Sequence, residues 1–333
     1  MIATLLLDVV SSAMVDAGVL HIRYLDDYFL VATSHARSWA CAWTGCAILV
    51  EFGLASALPK FEGPLRRIEF LGIVADSIKE TLEISEVRKQ ELLGLLQAMG
   101  KRQTSSVRRL QSLVGKLAFA AVVLPGAKPF MRRLIDMIDG KSRGHRALSA
   151  GFKVDCRYWR DHISMWNGKA KWRAPTSTPF VFASDASTAG FAYGLESCHT
   201  SVMARLPAGM RPGDVRSGTW SATNGDAVRQ STSSTIQWGE FFCTVAAVVE
   251  FGALLSNSHV VFMVDNESDV HVINRLRSRE TRVAALLRYL CDTALRFNFS
   301  FKAVHRAGVN NVLMDWASRP DMHKFAAMPA SPL

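Results

Sequence analysis

This 333-residue sequence has no C-x-x-C cysteine pair, and neither a secretory leader nor a membrane-length apolar run is expected in it. Its 6 cysteines (Cys41, Cys46, Cys156, Cys198, Cys243 and Cys291) include no C-x-x-C pair, which argues against a zinc site. Several sit in apolar runs, where cysteine packs as a small hydrophobe. The pattern is that of reduced thiols in an intracellular setting, cytoplasm or nucleus. Met1 to Val10 is apolar but has no basic n-region and carries Asp8, so it does not read as a signal peptide. Trp39 to Val50 is too short to cross a bilayer, and the longer run after Cys243 is broken by Glu250, so no membrane segment is expected. Acidic residues are scarce in one window. Lys101 to Ala150 holds eleven lysines and arginines against Asp136 and Asp139 alone, a local +9 in a chain of net charge +10.

What is present suffices for two or three domains, with 49% hydrophobic residues to build their cores. Apolar residues at 2, 5, 6, 9, 10 and 14 predict a helix over Ile2 to Gly18, with Gly18 as its C-terminal cap. Val19 to Ala32 reads as strand, tight turn, strand, with Asp26 and Asp27 at the turn, and two aspartates there are by themselves ordinary turn chemistry. A helix is expected over Ser34 to Ala57 and a strand over Arg67 to Ala75. Gly72 in that strand is either a bulge or a point of close backbone approach. Further helices are expected over Ser85 to Gly100, with Ser85 as N-cap, over Thr104 to Val123, and over Pro129 to Ile138. Lys141 to Thr178, with Trp159, Trp166 and Trp172, reads as a connection, and its tryptophans are expected to tether it to a core. The Ala174 to Pro179 stretch is the strongest domain boundary.

The stretch that organises the rest is Phe180 to Gly194, FVFASDASTAGFAYG, where an apolar strand runs into Asp185. A carboxylate at the end of a buried strand is costly unless partnered. Later segments offer partners: Glu240 in the helical run IQWGEFFCTVAAVVEFGALL, Asp265 ending VVFMVDN, and Asp315 in HRAGVNNVLMDWASR, ten residues after His305. Singly, each is also an ordinary turn, cap or solvated helix residue. Their joint recurrence in this order of elements favours a site. Over forty residues separate Gly194 from Trp238, and Ser217 to Thr235 is rich in serine, threonine and glycine, which suggests a long loop or an elongated hairpin.

With SDAS, W-x-E, VDN and H-x-G-x-x-N-x-x-x-D at their spacings, Pro179 to Arg319 resembles the ribonuclease H of DIRS-like and gypsy-like retrotransposon polyproteins. Tyr24-Leu25-Asp26-Asp27 resembles the polymerase signature of a reverse transcriptase, and RLQSLVGKLAFAA resembles part of the thumb of that family. The resemblance implies an α+β chain, truncated at its N-terminus. Residues 1–83 would be a partial palm with a primer-grip-like strand at Phe70-Leu71-Gly72, 84–140 a helical thumb, and 141–178 the connection. Residues 179–320 would form a ribonuclease H-like domain, a mixed five-stranded sheet with flanking helices, and 321–333 a tail.

It further implies cleavage of RNA in RNA–DNA hybrids with two Mg2+ ions, or Mn2+ as substitute, held by Asp185, Glu240, Asp265 and Asp315, with His305 assisting the attacking water or product departure. Asp26 and Asp27, beside Tyr24, would be the ligands of a polymerase site that lacks the family's first palm aspartate, so this chain alone is expected not to polymerise DNA. Lys101, Arg102, Arg108, Arg109, Lys116, Arg132 and Arg133 would contact the hybrid backbone. Asn266, Asn311 and Ser187 would touch RNA or hold a ligand, and Arg275, Arg277, Arg279 and Arg282 offer a second basic patch. A solvated surface is the ordinary reading of a charge run, but its concentration beside these motifs favours a phosphate track. The alternatives are an inactive nucleic-acid-binding remnant, or a polymerase part completed by a partner chain that supplies fingers and the first palm aspartate.

Overall fold

The computed structural model describes residues 2–54, 58–138, 144–168, 170–171, 180–198, 203, 206, 211–220 and 233–319. The chain divides into two compact units, Met1–Ser85 and Glu86–Leu333. The Ala174 to Pro179 boundary, Trp172, the 321–333 tail and much of the 195–237 insertion lie outside the described residues. Among the described residues, no helix is long and apolar enough to cross a membrane.

The first unit begins with α1 (Ile2–Asp16), whose Val10 and Met14 are buried against Val19 and Cys41. Gly18 ends it at φ +76°, a left-handed conformation that glycine adopts without strain. β1 (His21–Tyr24) and β2 (Asp27–Leu30) form an antiparallel hairpin that pairs Tyr24 with Asp27. Asp26 therefore lies in the turn, whereas Asp27, expected there too, opens the second strand. Ser34 caps α2 (His35–Glu51), its hydroxyl accepting from Arg37 N at 3.2 Å. This helix stops six residues short of the expected end. The segment expected as one strand over Arg67 to Ala75 is a hairpin of β3 (Arg67–Phe70) and β4 (Ile73–Asp76), which β5 (Thr81–Ile84) extends. Leu71 and Gly72, at φ +54° and +84°, are its two turn residues.

The second unit opens with α3 (Glu86–Gly100), which buries Leu92, Leu96 and Met99. Ser85 precedes it, but its buried hydroxyl makes no hydrogen bond and so does not cap the helix. Thr104–Ser106, expected as helix, is instead β6, paired antiparallel with β7 (His145–Ala147). α4 (Val107–Val123) follows with Ser106 as its N-cap, then α5 (Arg132–Asp136). In α6 (Ala150–Trp166), Trp159 and Trp166 are buried, which is the tethering role expected of them.

The rest of this unit is built on a mixed five-stranded sheet with helices against it. β8 (Phe180–Ala186), β9 (Gly190–Ser197) and β10 (Val215–Thr219) form an antiparallel meander. β11 (His259–Val264) runs parallel to β8, and β12 (Ser300–His305) parallel to β11, giving the order β10-β9-β8-β11-β12. The third meander strand falls inside the segment expected as a loop or elongated hairpin. α7 (Ser233–Phe251) packs on β8, with Phe182 stacked on Phe251. On the opposite face Ala183 and Ala192 leave room for Met314 and Ala317 of α10 (Val312–Ala317). α8 (Glu267–Arg275) packs on β12, and α9 (Thr281–Phe297) packs on α7. The expected α+β class, with a mixed five-stranded sheet and flanking helices, is what the chain adopts.

Candidate active site

Strand register explains how Asp185 and Asp265 meet. β8 and β11 are parallel neighbours with Met263 opposite Ala183. Two residues further on, both strands reach an aspartate at the same end of the sheet. Side chains alternate across a strand. Ser184 faces α7, its hydroxyl 3.3 Å from that of Thr244, so Asp185 points to the other face, toward α10. There Ser318 Oγ donates to Asp185 Oδ2 at 2.8 Å. β12 ends on His305, whose Nε2 lies 3.0 Å from the Asp265 carbonyl oxygen.

Asp185 is only 5% exposed, and burial pushes its carboxyl up to about 6. Asp265 and Asp315 add repulsion, while the Ser318 hydrogen bond and Arg319 oppose the rise. Burial likewise pushes Glu240 up to about 7; the Asn266 hydrogen bond opposes the rise, and repulsion from Asp265 and Asp185 adds to it. Asp265 is raised, first by burial. Asp185 is therefore electrostatically coupled to each of the other three carboxylates. Asp315 accepts from Arg319 Nη2 at 2.5 Å.

Neighbouring side chains hold this set in place. Asn266 caps α8 by accepting from Ser268 N at 2.8 Å, and its Nδ2 donates to Glu240 Oε2 at 2.5 Å. Asn311 is buried, with its Nδ2 donating to the Ser184 carbonyl at 3.1 Å. Ser187 Oγ donates to the Ser318 carbonyl at 2.6 Å. All three side chains, expected at the nucleic acid or at a ligand, are engaged inside the fold. Gly190 lets the site close: a Cβ there would stand 2.4 Å from the Gly218 carbonyl oxygen and 3.0 Å from that of Ser318. Two residues escaped the sequence reading. Ser318 carried no motif. Asp269, fully buried on α8, has no hydrogen bond of normal geometry, although Gln237 stands near it, and burial lifts its carboxyl to about 8. Its spacing of four from Ile273, the other buried residue of α8, was an available signal, since that spacing puts the two on one face of a helix.

No described protein family and no curated protein matches the sequence. Solved structures do. A foamy viral protease–reverse transcriptase in complex with double-stranded DNA is 15% identical, with TM-score 0.43, over 89% of this chain and 48% of that one. Another, in complex with an RNA/DNA hybrid, is 15% identical with TM-score 0.41, over 98% of this chain and 39% of that one. The chain thus spans about half or less of the length of these two proteins.

Among the described residues, no group of three or more histidine, cysteine, aspartate or glutamate side chains is arranged to hold a metal ion. The donor chemistry nevertheless suits a hard divalent cation. Asp265 Oδ1 is buried without a hydrogen-bond partner, and Asp185 and Glu240 each have their proton affinity raised by neighbouring carboxylates, a repulsion that a cation relieves.

The expected backbone-contact residues divide into two sets. Lys116 pairs with Glu91 at 2.6 Å, Arg132 with Asp136 at 2.5 Å, and Arg133 with Asp155 at 3.3 Å, so these are spent largely within the fold. Lys101, Arg102, Arg108 and Arg109 are exposed and in no ion pair among the described residues. In the first unit, Tyr24, Asp26 and Asp27 are exposed around the hairpin turn.

Proposed function

We propose that the chain is a retroelement-derived, metal-dependent endonuclease that cleaves RNA in RNA–DNA hybrids through a ribonuclease H-like domain at residues 179–320. The reading is carried by one observation, the coupling of Asp185 to Glu240, Asp265 and Asp315 at one end of the sheet. Those residues would hold two Mg2+ ions, or Mn2+ in their place, with Asp185 as the shared ligand. Such ions, when bound, supply a water nucleophile at neutral pH and neutralise charge on the leaving oxygen. Asn266 orients Glu240, Ser318 orients Asp185, and exposed His305 exchanges a proton at the rim. Residues 84–140 and 141–178 act as thumb-like block and connection, with Lys101, Arg102, Arg108 and Arg109 neutralising backbone phosphates.

For residues 1–83 we infer a partial palm. Its Asp26 and Asp27 would acquire a polymerase role only with a further carboxylate and fingers supplied from outside residues 1–83. Primer extension by this chain alone counts against that.

One observation favours a binding-only reading: Arg319 already supplies Asp315 with a cation. Cleavage of a labelled RNA–DNA hybrid with magnesium, wild type beside Asp265→Asn, separates the two. Cleavage by wild type and loss in the variant supports the nuclease. Salt-sensitive binding without cleavage by either supports the remnant.

A further inference from the structure

A second surface of this unit stands apart from the carboxylates. α7 and α9 leave between them a groove of about 420 Å3 lined by Trp238, Val245 and Val249 of one helix and by Arg282, Leu286 and Tyr289 of the other. Val249 is 58% and Tyr289 49% exposed, so the apolar floor is open to solvent. Among the described residues, no acidic side chain lines the groove. At one end the Arg282 guanidinium lies 4.6 Å above the Trp238 ring. Arg282 is exposed, and so are Arg275, Arg277 and Arg279. None of the four is in an ion pair among the described residues.

Length and charge together define the occupant. The stripe from Trp238 to Val249 covers eleven residue steps of helix, about 16 Å. That is the length of a three-turn helix, and far more than one nucleotide needs. Among the described lining residues, the one cation, Arg282, stands at the Trp238 end. A phosphate backbone laid along the groove would leave its later charges against Val245, Val249 and Leu286, which cannot neutralise them. An amphipathic helix has the complementary form: an apolar stripe for the floor and carboxylates at the end that meets Arg282.

We infer that the α7–α9 groove is a docking site for an acidic amphipathic helix of a partner protein. The inference does not depend on the nuclease reading. The test uses the full chain and a fluorescein-labelled leucine-striped peptide of about fourteen residues with glutamates at one end, read by anisotropy. Its controls are a twin with lysine for glutamate and a single-stranded RNA of similar length. The acidic peptide is expected to bind at least about tenfold more tightly than the lysine twin. Val249→Glu and Arg282→Ala are each expected to weaken it by about tenfold or more, with unchanged thermal melts and, for Val249→Glu, unchanged hybrid cleavage. Equal binding of the two peptides, no binding, or binding indifferent to Val249→Glu overturns the proposal. Displacement of the peptide by RNA, with RNA binding sensitive to Val249→Glu, overturns it in favour of a nucleic-acid groove.

Discussion

The Asn266 carboxamide joins two elements at once: its oxygen caps α8 at Ser268 N and its nitrogen donates to Glu240 Oε2 at 2.5 Å. The two jobs separate by side-chain length. Serine retains N-capping but is too short to reach Glu240. Asn266→Ser is therefore expected to melt within a few degrees of wild type, while hybrid cleavage falls roughly tenfold or more. The hydrogen bond lowers the proton affinity of Glu240, so its loss moves the acidic limb of the pH–rate profile upward. A melt far below wild type with an unmoved profile would reduce Asn266 to a helix cap.

Buried Asp269 gives a prediction that needs no substrate. Its carboxyl is lifted from 3.8 to about 8, first by burial and then by repulsion from Glu240 and Asp265, against partial relief from Gln237. The folded chain keeps a proton that the unfolded chain has released, so the native state binds more protons between these values. Stability attributable to this group is greatest below its unfolded pKa and falls as pH rises toward about 8. Asp269→Asn cannot ionise. Its stability relative to wild type should rise between pH 5 and 8, by about 1–3 kcal/mol in metal-free chemical denaturation. A difference that stays flat with pH would mean that Asp269 is ionised in the folded chain.

The organising elements of the fold were legible where the signal was local. The Val19 to Ala32 hairpin, the α1 stripe and the strand ending at Asp185 all follow from periodicity and turn chemistry. The misreadings share a cause. Leu71 gives no turn signal, so two strands around Leu71-Gly72 merged into one. Thr104–Ser106 is a strand only because His145–Ala147, forty residues away, pairs with it. At the candidate site, the order of the carboxylates could be read from the chain, whereas the partners of Asn266, Ser318 and Arg133 arise only from tertiary contact. The same holds for the basic window, where charge was countable but Glu91 and Asp155, which answer Lys116 and Arg133, lie outside it in sequence.

Asp155 shows how firmly the helical block is joined to the sheet-bearing part of its unit. It is fully buried on α6 and receives Arg288 of α9 at 3.0 and 2.7 Å, with Arg133 at 3.3 Å. Arg288 Nε also donates to the Pro129 carbonyl at 3.2 Å. Removing one partner strands a charge, while removing both does not. Arg288→Met should cost about 3–5 kcal/mol by chemical denaturation, and Asp155→Leu combined with Arg288→Met should recover most of it. Additive losses in the double variant would show that packing, rather than the stranded carboxylate, sets the cost.

Under the proposed nuclease reading, His305 serves turnover rather than architecture. It is exposed at the end of β12, with its ring Nε2 3.0 Å from the Asp265 carbonyl oxygen. That bond holds the ring beside the main chain of Asp265. A side chain held this lightly contributes little to the core, so His305→Ala should leave the melt within a degree or two. It touches none of the exposed cations of α4 or the Lys101-Arg102 pair, so hybrid affinity at fixed salt should change less than about twofold. Cleavage turnover should fall by about tenfold or more, the range expected when a positioned proton carrier is lost. Equal loss of turnover and binding would make His305 a substrate contact instead, and an unchanged rate would remove it from the reaction.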